Sequence, residues 1–480
     1  MDPLRPLGLV VLLLAAAAAG EPGFNEFPIA MSADVRPVDG GGTIIQVNHR
    51  DRIDRTTGNK PAPSRLRAYL PPGPEPLTGI LYDVGETYPP DNTALQQVAR
   101  VRRWAIVGTL MRYQRGTELF DAALGEVAAK GKRPELTRLP IVPWAFSRNG
   151  GRAWTFAEET GGRVAGIVLG GNPGLPSGAR ERMSASRAAI LAATPILTVV
   201  GSRDPFVDYN KGEARFWHVQ HYPVIRSWQA PWGMALLWGG GHDWSYGHPL
   251  LVAFTDLAIR RRVAGRTGPA FAEGWLVQAR WTKDWIEPWP AAGPVSGFAG
   301  DAARTVWLPG PELVDLWRGA NVATPEVTVA VAGTPAAPQL TATVPAGTVA
   351  VEYRHLDALL VRAGAAPFAA AAPALAKGLH HVTAVAVLGD GSRRAARPIT
   401  VVDGVALDWA AGVAAERAAA KPEQVIRLEP ELRRALLDQR AGRPVEAARA
   451  AALTAALTKA LEAEHVEQRQ AAQALLGKGK

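Results

Sequence analysis

Ala145-Phe-Ser-Arg-Asn-Gly-Gly151 closes the apolar run Leu139–Phe146, and its reading decides the fold of the first half of the chain. A short apolar run bounded by turn residues reads as a buried strand. A helix starting near Gly151 then leaves Ser147 in a tight strand-to-helix turn. That geometry pushes a hydroxyl clear of its own backbone, where it can attack. Such a turn needs small residues two places before and after the serine. Ala145 and Asn149 stand where glycines would be the simplest choice, and Asn tolerates unusual backbone angles better than most residues. Gly150 and Gly151 are expected to let the helix approach the strand. A serine here also suits a helix N-cap, so the motif alone leaves both roles open.

A serine hydroxyl needs a base to take its proton, and an imidazole base needs a carboxylate to fix its tautomer. Two later segments offer them. Gly201-Ser-Arg-Asp-Pro-Phe-Val207 follows the apolar run Ile196–Val200 and contains Asp204, with Asp208 as a rival acid. Gly239-Gly-Gly-His242 follows Met234–Trp238, and its glycines allow close backbone approach. His248 is an alternative base beside Pro249, and His218 and His221 lie in the connecting segment.

From Gly20 to about Val263 strand-like and helix-like runs alternate, the pattern of an α/β fold with a mostly parallel, doubly wound sheet. Strands are expected at Thr43–Asn48, Arg65–Leu70, Gly79–Val84, Trp104–Leu110, Leu139–Phe146, Arg163–Leu169, Ile196–Val200 and Met234–Trp238. Helices are expected at Thr93–Arg103, Glu118–Ala129, Gly151–Glu159, Ala179–Ala192 and Leu250–Arg262. Phe271 to about Pro311 is a Trp- and Pro-rich connection expected to pack back on this unit, because exposed tryptophan is costly. Beyond it lie short β-rich runs, including Val327–Val331, Leu340–Val344, Thr348–Tyr353 and His381–Val387, with Gly389-Asp-Gly391 as a hairpin signal. They read as a small β-sandwich. The end of the chain, rich in Ala, Glu, Arg and Leu, reads as a helical tail.

These residues carry a resemblance. Ala-Phe-Ser147-Arg-Asn-Gly-Gly, Gly-Ser-Arg-Asp204-Pro-Phe-Val and Gly-Gly-Gly-His242, in that order, resemble the α/β-hydrolase superfamily, nearest its esterase, dienelactone-hydrolase and polyester-depolymerase-like branches. The resemblance implies a Ser147–His242–Asp204 triad and hydrolysis of a carboxylic ester through an acyl-enzyme. It implies an oxyanion hole from the amide of Arg148 and one from Asp83-Val-Gly-Glu-Thr87, at Gly85 or Glu86. Family members often have His-Gly at that second place, where this chain has Val84-Gly85. The β-rich region resembles the bacterial immunoglobulin-like modules attached to exported hydrolases. The expected division is a signal peptide at 1–20, the hydrolase unit with its connection at 21–311, the sandwich at 312–408 and the tail at 409–480.

Between Asp204 and His242 the chain is aromatic, with Phe206, Tyr209, Phe216, Trp217, Tyr222, Trp228, Trp232 and Trp238. They fit either packing beneath the catalytic loops or an aromatic pocket, with Trp217, Trp238 and Trp144 as its candidate walls and Trp154 also flanking the turn. No metal-ligand spacing or phosphate-cradling loop appears, so neither metal nor cofactor is expected. Gly40-Gly-Gly42 lacks the lysine of a P-loop and reads as a turn.

The N-terminus pairs Arg5 with the apolar run Leu7–Ala19 and the small residues Ala17–Ala19. It reads as a secretory signal cleaved near Ala19 or Gly20, with an uncleaved anchor as the alternative. The expected location is secreted or periplasmic. No other stretch of the sequence is apolar and long enough to span a bilayer. With no cysteine, disulfides, thiolate metal sites and a thiol nucleophile are excluded. The net charge of +9 leaves envelope or acidic-polysaccharide association open, but Arg and Lys are scattered instead of forming one block, which favours a solvated surface, and no nucleic-acid motif is present. The expected substrate is a small-molecule or polysaccharide-linked ester. A peptidase on the same fold and an inactive polysaccharide-binding protein are the competing classes.

Overall fold

The computed structural model describes residues 31–49, 64–85, 88–110, 116–160, 162–171, 185–202, 227–238, 240, 244, 247–266, 271–279, 289–301, 304–322 and 325–420. The expected signal peptide and most of the expected tail lie outside these residues.

The strands β1 (Met31–Pro37), β2 (Thr43–His49), β3 (Ser64–Leu70), β4 (Gly79–Val84), β5 (Trp104–Leu110), β6 (Ile141–Phe146), β7 (Ile167–Gly170), β8 (Ile196–Gly201) and β9 (Trp232–Leu237) form one sheet. Its order is β1-β2-β3-β5-β4-β6-β7-β8-β9. The first three strands and β5 pair antiparallel, and all pairs from β5 to β9 are parallel. Among the described residues five helices are interleaved: α1 (Thr93–Arg102), α2 (Gly116–Gly131), α3 (Gly150–Glu159), α4 (Ala185–Ala193) and α5 (His248–Val263).

Alternation along β4 assigns the helices to two faces. Tyr82 points to one face, where its ring meets Phe120 of α2 at 4.7 Å and Phe156 of α3 at 4.8 Å. Gly79, three residues earlier, points to the other, against Ile259 of α5. Trp144 of β6 shares that second face and donates from Nε1 to Thr255 Oγ1 of α5 at 2.9 Å. Arg102 of α1 pairs there with Asp256 of α5 at 3.1 Å. Helices on both faces make this the doubly wound architecture expected. α5 is buried on nearly every side over His248–Ile259, as its apolar sequence requires.

The differences from expectation have local causes. β1 has the sequence MSADVRP, is largely solvent-exposed and has no apolar pattern. The run at Arg163–Leu169 pairs first through an isolated bridge from Val164 to Ile141, and regular strand begins only at Ile167. The connection is itself structured, with β10 (Trp275–Gln278), β11 (Ala292–Pro294) and β12 (Thr305–Leu308) in the order β11-β10-β12, and helix α6 (Val314–Ala320), expected within the sandwich, follows it and joins the core of the large sheet instead. It covers the exposed edge of β9: Trp317 Nε1 donates to the Met234 carbonyl at 2.6 Å, and the Leu236 N–H donates to Asn321 Oδ1 at 2.7 Å.

The C-terminal strands are β13 (Thr328–Thr334), β14 (Ala337–Thr343), β15 (Thr348–His355), β16 (Ala358–Ala363), β17 (Ala370–Ala371), β18 (Leu379–Leu388), β19 (Arg393–Ala395), β20 (Ile399–Val402) and β21 (Val405–Ala406). They form two antiparallel sheets, β13-β14-β17 and β16-β15-β18-β20-β21, with β19 paired to β18. Val327, Leu340, Val351, Tyr353, Val382 and Val401 are among the side chains of their common core. Leu379 and Val402 instead join the core of the large sheet. Arg354 of β15 reaches Asp315 of α6 at 2.7 Å. Helix α7 (Trp409–Ala420) returns to α1, where Asn92 Nδ2 donates to Glu416 Oε2 at 3.2 Å.

Candidate active site

Parallel register brings the carboxyl ends of β4, β6, β8 and β9 to one edge of the sheet. Ser147 emerges there as the first residue after β6, in the short 3-10 turn Ser147–Asn149 that leads into α3. Its φ is +55°, a left-handed conformation that costs a non-glycine residue about 1–3 kcal/mol. The strained position is Ser147 itself. Asn149 has ordinary helical angles, φ −76° and ψ −10°, so the absence of glycine there carries no backbone penalty. The N-cap alternative is not realised, because no side chain caps the start of α3. Among the described residues the Ser147 hydroxyl makes no hydrogen bond, and the residue is half-buried. Gly151 does not serve the close packing expected of it, since a Cβ there would meet nothing within 4 Å.

The loop after β4 lies against this turn. Gly85 has φ +93°, and a Cβ on it would stand 2.6 Å from Asn149 Nδ2. The side chain at 149 therefore occupies space that only glycine at 85 leaves free. The amide of Arg148 follows the serine directly in the turn. Glu86, the other candidate donor, lies outside the described residues, as do Asp204, Asp208, His218, His221 and His242.

The chain bearing His242 is described at both ends. Gly240 N–H donates to the Leu237 carbonyl at 3.0 Å, closing a turn at the end of β9. Trp244, two residues beyond His242, packs its ring 4.9 Å from Phe146 and 5.6 Å from Trp144. Gly170, at the end of β7, leaves room for this contact: a Cβ on it would collide with both Phe146 and Trp244. Trp244 thus stands against the residue next to Ser147. Sequence reasoning missed Trp244, although an aromatic two places after a glycine-flanked histidine was the available signal. The Asn149–Gly85 contact had no sequence signal.

The expected pocket residues divide. Trp144 is a correction: its indole is fully buried and hydrogen-bonded to α5, so it is core and not a pocket wall. Trp238 is half-buried at the end of β9, and its indole N–H has no hydrogen-bond acceptor. Trp217 lies outside the described residues, with Phe206, Tyr209, Phe216 and Tyr222. Trp232 is core, donating to Thr198 Oγ1 at 2.7 Å, and Trp154 packs on it at 5.9 Å. His248 is buried and stacked on Trp409 with centroids 4.6 Å apart, which makes it a packing residue. Tyr82, buried beside this edge, has its hydroxyl pushed well above its usual range by desolvation and so stays protonated. Among the described residues no cluster of three or more His, Asp or Glu is set to hold a metal ion.

Comparison with solved structures gives the following. An S-formylglutathione hydrolase from Agrobacterium tumefaciens matches 49% of this chain and 99% of its own, at 15% identity and a TM-score of 0.33. A glucuronoyl esterase from Teredinibacter turnerae matches 53% of this chain and 84% of its own, at 11% identity and a TM-score of 0.34. Fibronectin(III)-like modules from Clostridium thermocellum match 17% of this chain and 99% of their own, at 31% identity and a TM-score of 0.15. No family model matches the chain, and no curated protein does. No helix among the described residues is long and apolar enough to cross a membrane.

Proposed function

We propose that the protein is a serine hydrolase that cleaves a carboxylic ester. The observation that carries this reading is Ser147, held at φ +55° in the turn between a parallel strand and a helix, with its hydroxyl making no hydrogen bond among the described residues. Ser147 Oγ attacks the ester carbonyl while His242 accepts its proton, with Asp204 orienting the imidazole. The tetrahedral intermediate collapses as His242 passes the proton to the leaving alcohol. Water, activated by the same imidazole, then releases the acid and frees Ser147. The amides of Arg148 and Gly85 are suited to receive the oxyanion, because both stand at the ends of adjacent strands beside the serine, and each such donor is worth about 3 kcal/mol in the transition state.

Reach supports the same assignment. β8 lies two strands from β6 and β9 three, or about 10 and 14 Å at ~4.8 Å per strand. Asp204 is three residues past β8, which extended chain covers in about 10 Å, whereas the Leu237–Gly240 turn leaves the crossing from β9 to be judged from Trp244. Trp244 packed on Phe146 supports a loop that makes that crossing. Export, an immunoglobulin-like nature for the C-terminal sheets and a helical tail belong to the same proposal, resting on the Leu7–Ala19 run, the β-rich runs and the Ala-rich end of the chain.

A fluorophosphonate probe tests the proposal. The intact protein should label at Ser147, and Ser147→Ala should lose both labelling and p-nitrophenyl ester turnover. A folded protein that hydrolyses no ester and takes up no probe refutes it. Within the ester series short acyl chains should turn over best, and an optimum beyond about eight carbons would contradict that preference.

A further inference from the structure

The C-terminal sheets touch the proposed catalytic edge at a polar contact. Arg397, in the link between β19 and β20, donates from Nη2 to the main-chain carbonyl of Trp238 at 2.7 Å. That carbonyl sits inside the Leu237–Gly240 turn, whose hydrogen bond among the described residues is taken by the Leu237 oxygen. Three glycines, 239 to 241, then separate it from His242. Glycines confer no direction on a chain, so the position of residue 242 depends on what holds the two ends of its loop. Trp244 holds the far end on Phe146, and Arg397 holds the near end.

Arg397 is itself rigidly mounted. The Ala396 N–H donates to the Ala384 carbonyl at 2.7 Å, tying the link to β18, and Pro398 follows at once. Gly319 of α6 lets this link approach, since a Cβ there would stand 2.4 Å from the Ala396 oxygen. A guanidinium on a fixed backbone, bonded to a main-chain carbonyl that takes no other hydrogen bond among the described residues, fixes geometry more firmly than a surface contact does.

We propose that Arg397 is a positioning residue for the His242 loop, so that the C-terminal sheets complete the catalytic site of the first unit. This rests on the serine-hydrolase reading. Displacement of a general base by about 1 Å costs on the order of 100-fold in rate without altering substrate binding.

The experiment compares the full-length protein with Arg397→Met, Arg397→Lys and Arg354→Met, measuring kcat, KM, fluorophosphonate labelling rate and thermal midpoint. Arg354→Met removes a different contact between the two units, the one to Asp315, and is the control for loosened docking. The expected result is a tenfold or greater fall in kcat and labelling rate for Arg397→Met, with KM within about twofold. Arg397→Lys should recover part of the loss, and Arg354→Met should keep wild-type kcat even where its midpoint falls. Wild-type kcat in folded Arg397→Met overturns the inference and leaves the hydrolase reading intact. Equal losses of kcat in Arg397→Met and Arg354→Met also overturn it, because docking alone would then explain both. An intact protein that neither labels nor turns over ester overturns the reading and this inference with it.

Discussion

Ser147 and Gly85 both have positive φ, and only one of them is glycine. The serine accepts strain because its hydroxyl must leave the backbone, whereas residue 85 must also leave room for Asn149. Gly85→Ala should therefore destabilise the protein by about 1–3 kcal/mol, from a left-handed alanine and a collision. Adding Asn149→Ala should recover the collision part but not the backbone part. Urea denaturation of the two single variants and the double variant checks this, and additive losses would show that 85 and 149 do not touch. The serine was legible in the sequence because its turn is local, built from consecutive residues. The compatibility of Asn149 was not, since it depends on a residue from a different strand end.

The strands β4 to β6, and β8, were legible because each is an apolar run between turn residues and is buried as such, and β2 and β3 because apolar residues recur along them between turn residues. β1 was not, because an edge strand facing solvent needs no apolar pattern, and what defines it is its register with β2, Met31 opposite His49 through Pro37 opposite Thr43. The Trp- and Pro-rich connection hid a three-stranded sheet, and the residues after it hid α6, for a related reason. Their task is to satisfy the edge of β9, and that demand is visible only once β9 is an edge. Asn321→Ala should cost about 1–3 kcal/mol, because the Leu236 N–H then loses its acceptor. Trp317→Phe should cost less than truncation to Ala, retaining most of the packing while losing the bond to Met234. Chemical denaturation midpoints test both, and a neutral Asn321→Ala would mean that water reaches that amide.

The joint between the two units carries a histidine group that no local pattern announced. His381 of β18 is buried, its backbone N–H donates to His355 Nδ1 at 3.0 Å, and His380 stands 4.9 Å from His355. Arg102 of α1 faces them from the first unit, and Asp357 is the carboxylate on the side of His355. Burial, then the neighbouring imidazole, push His355 down to about 4, and burial holds His381 well below its ordinary range. Both are neutral in the fold, while the unfolded chain binds protons near pH 6.5. The unfolded state therefore carries more bound protons below that pH, and stability should fall as the pH drops from about 6.5 towards 4. The His381 carbonyl, 3.3 Å from His355 Nδ1, compensates only in part. Thermal midpoints at pH 7 and pH 5 should differ for the wild type and differ less for His355→Asn; equal slopes would exclude this pair as the cause.

The order serine, acid, histidine, the alternation of strands and helices and the β-rich second region follow from composition and spacing, because each is a property of neighbouring residues. Which edge of β9 is covered, why Asn149 fits and what contacts the Trp238 carbonyl were decided by the folded chain. Those are contacts between segments tens to hundreds of residues apart, and burial and hydrogen-bond satisfaction across such distances come into being only when the sheet is assembled.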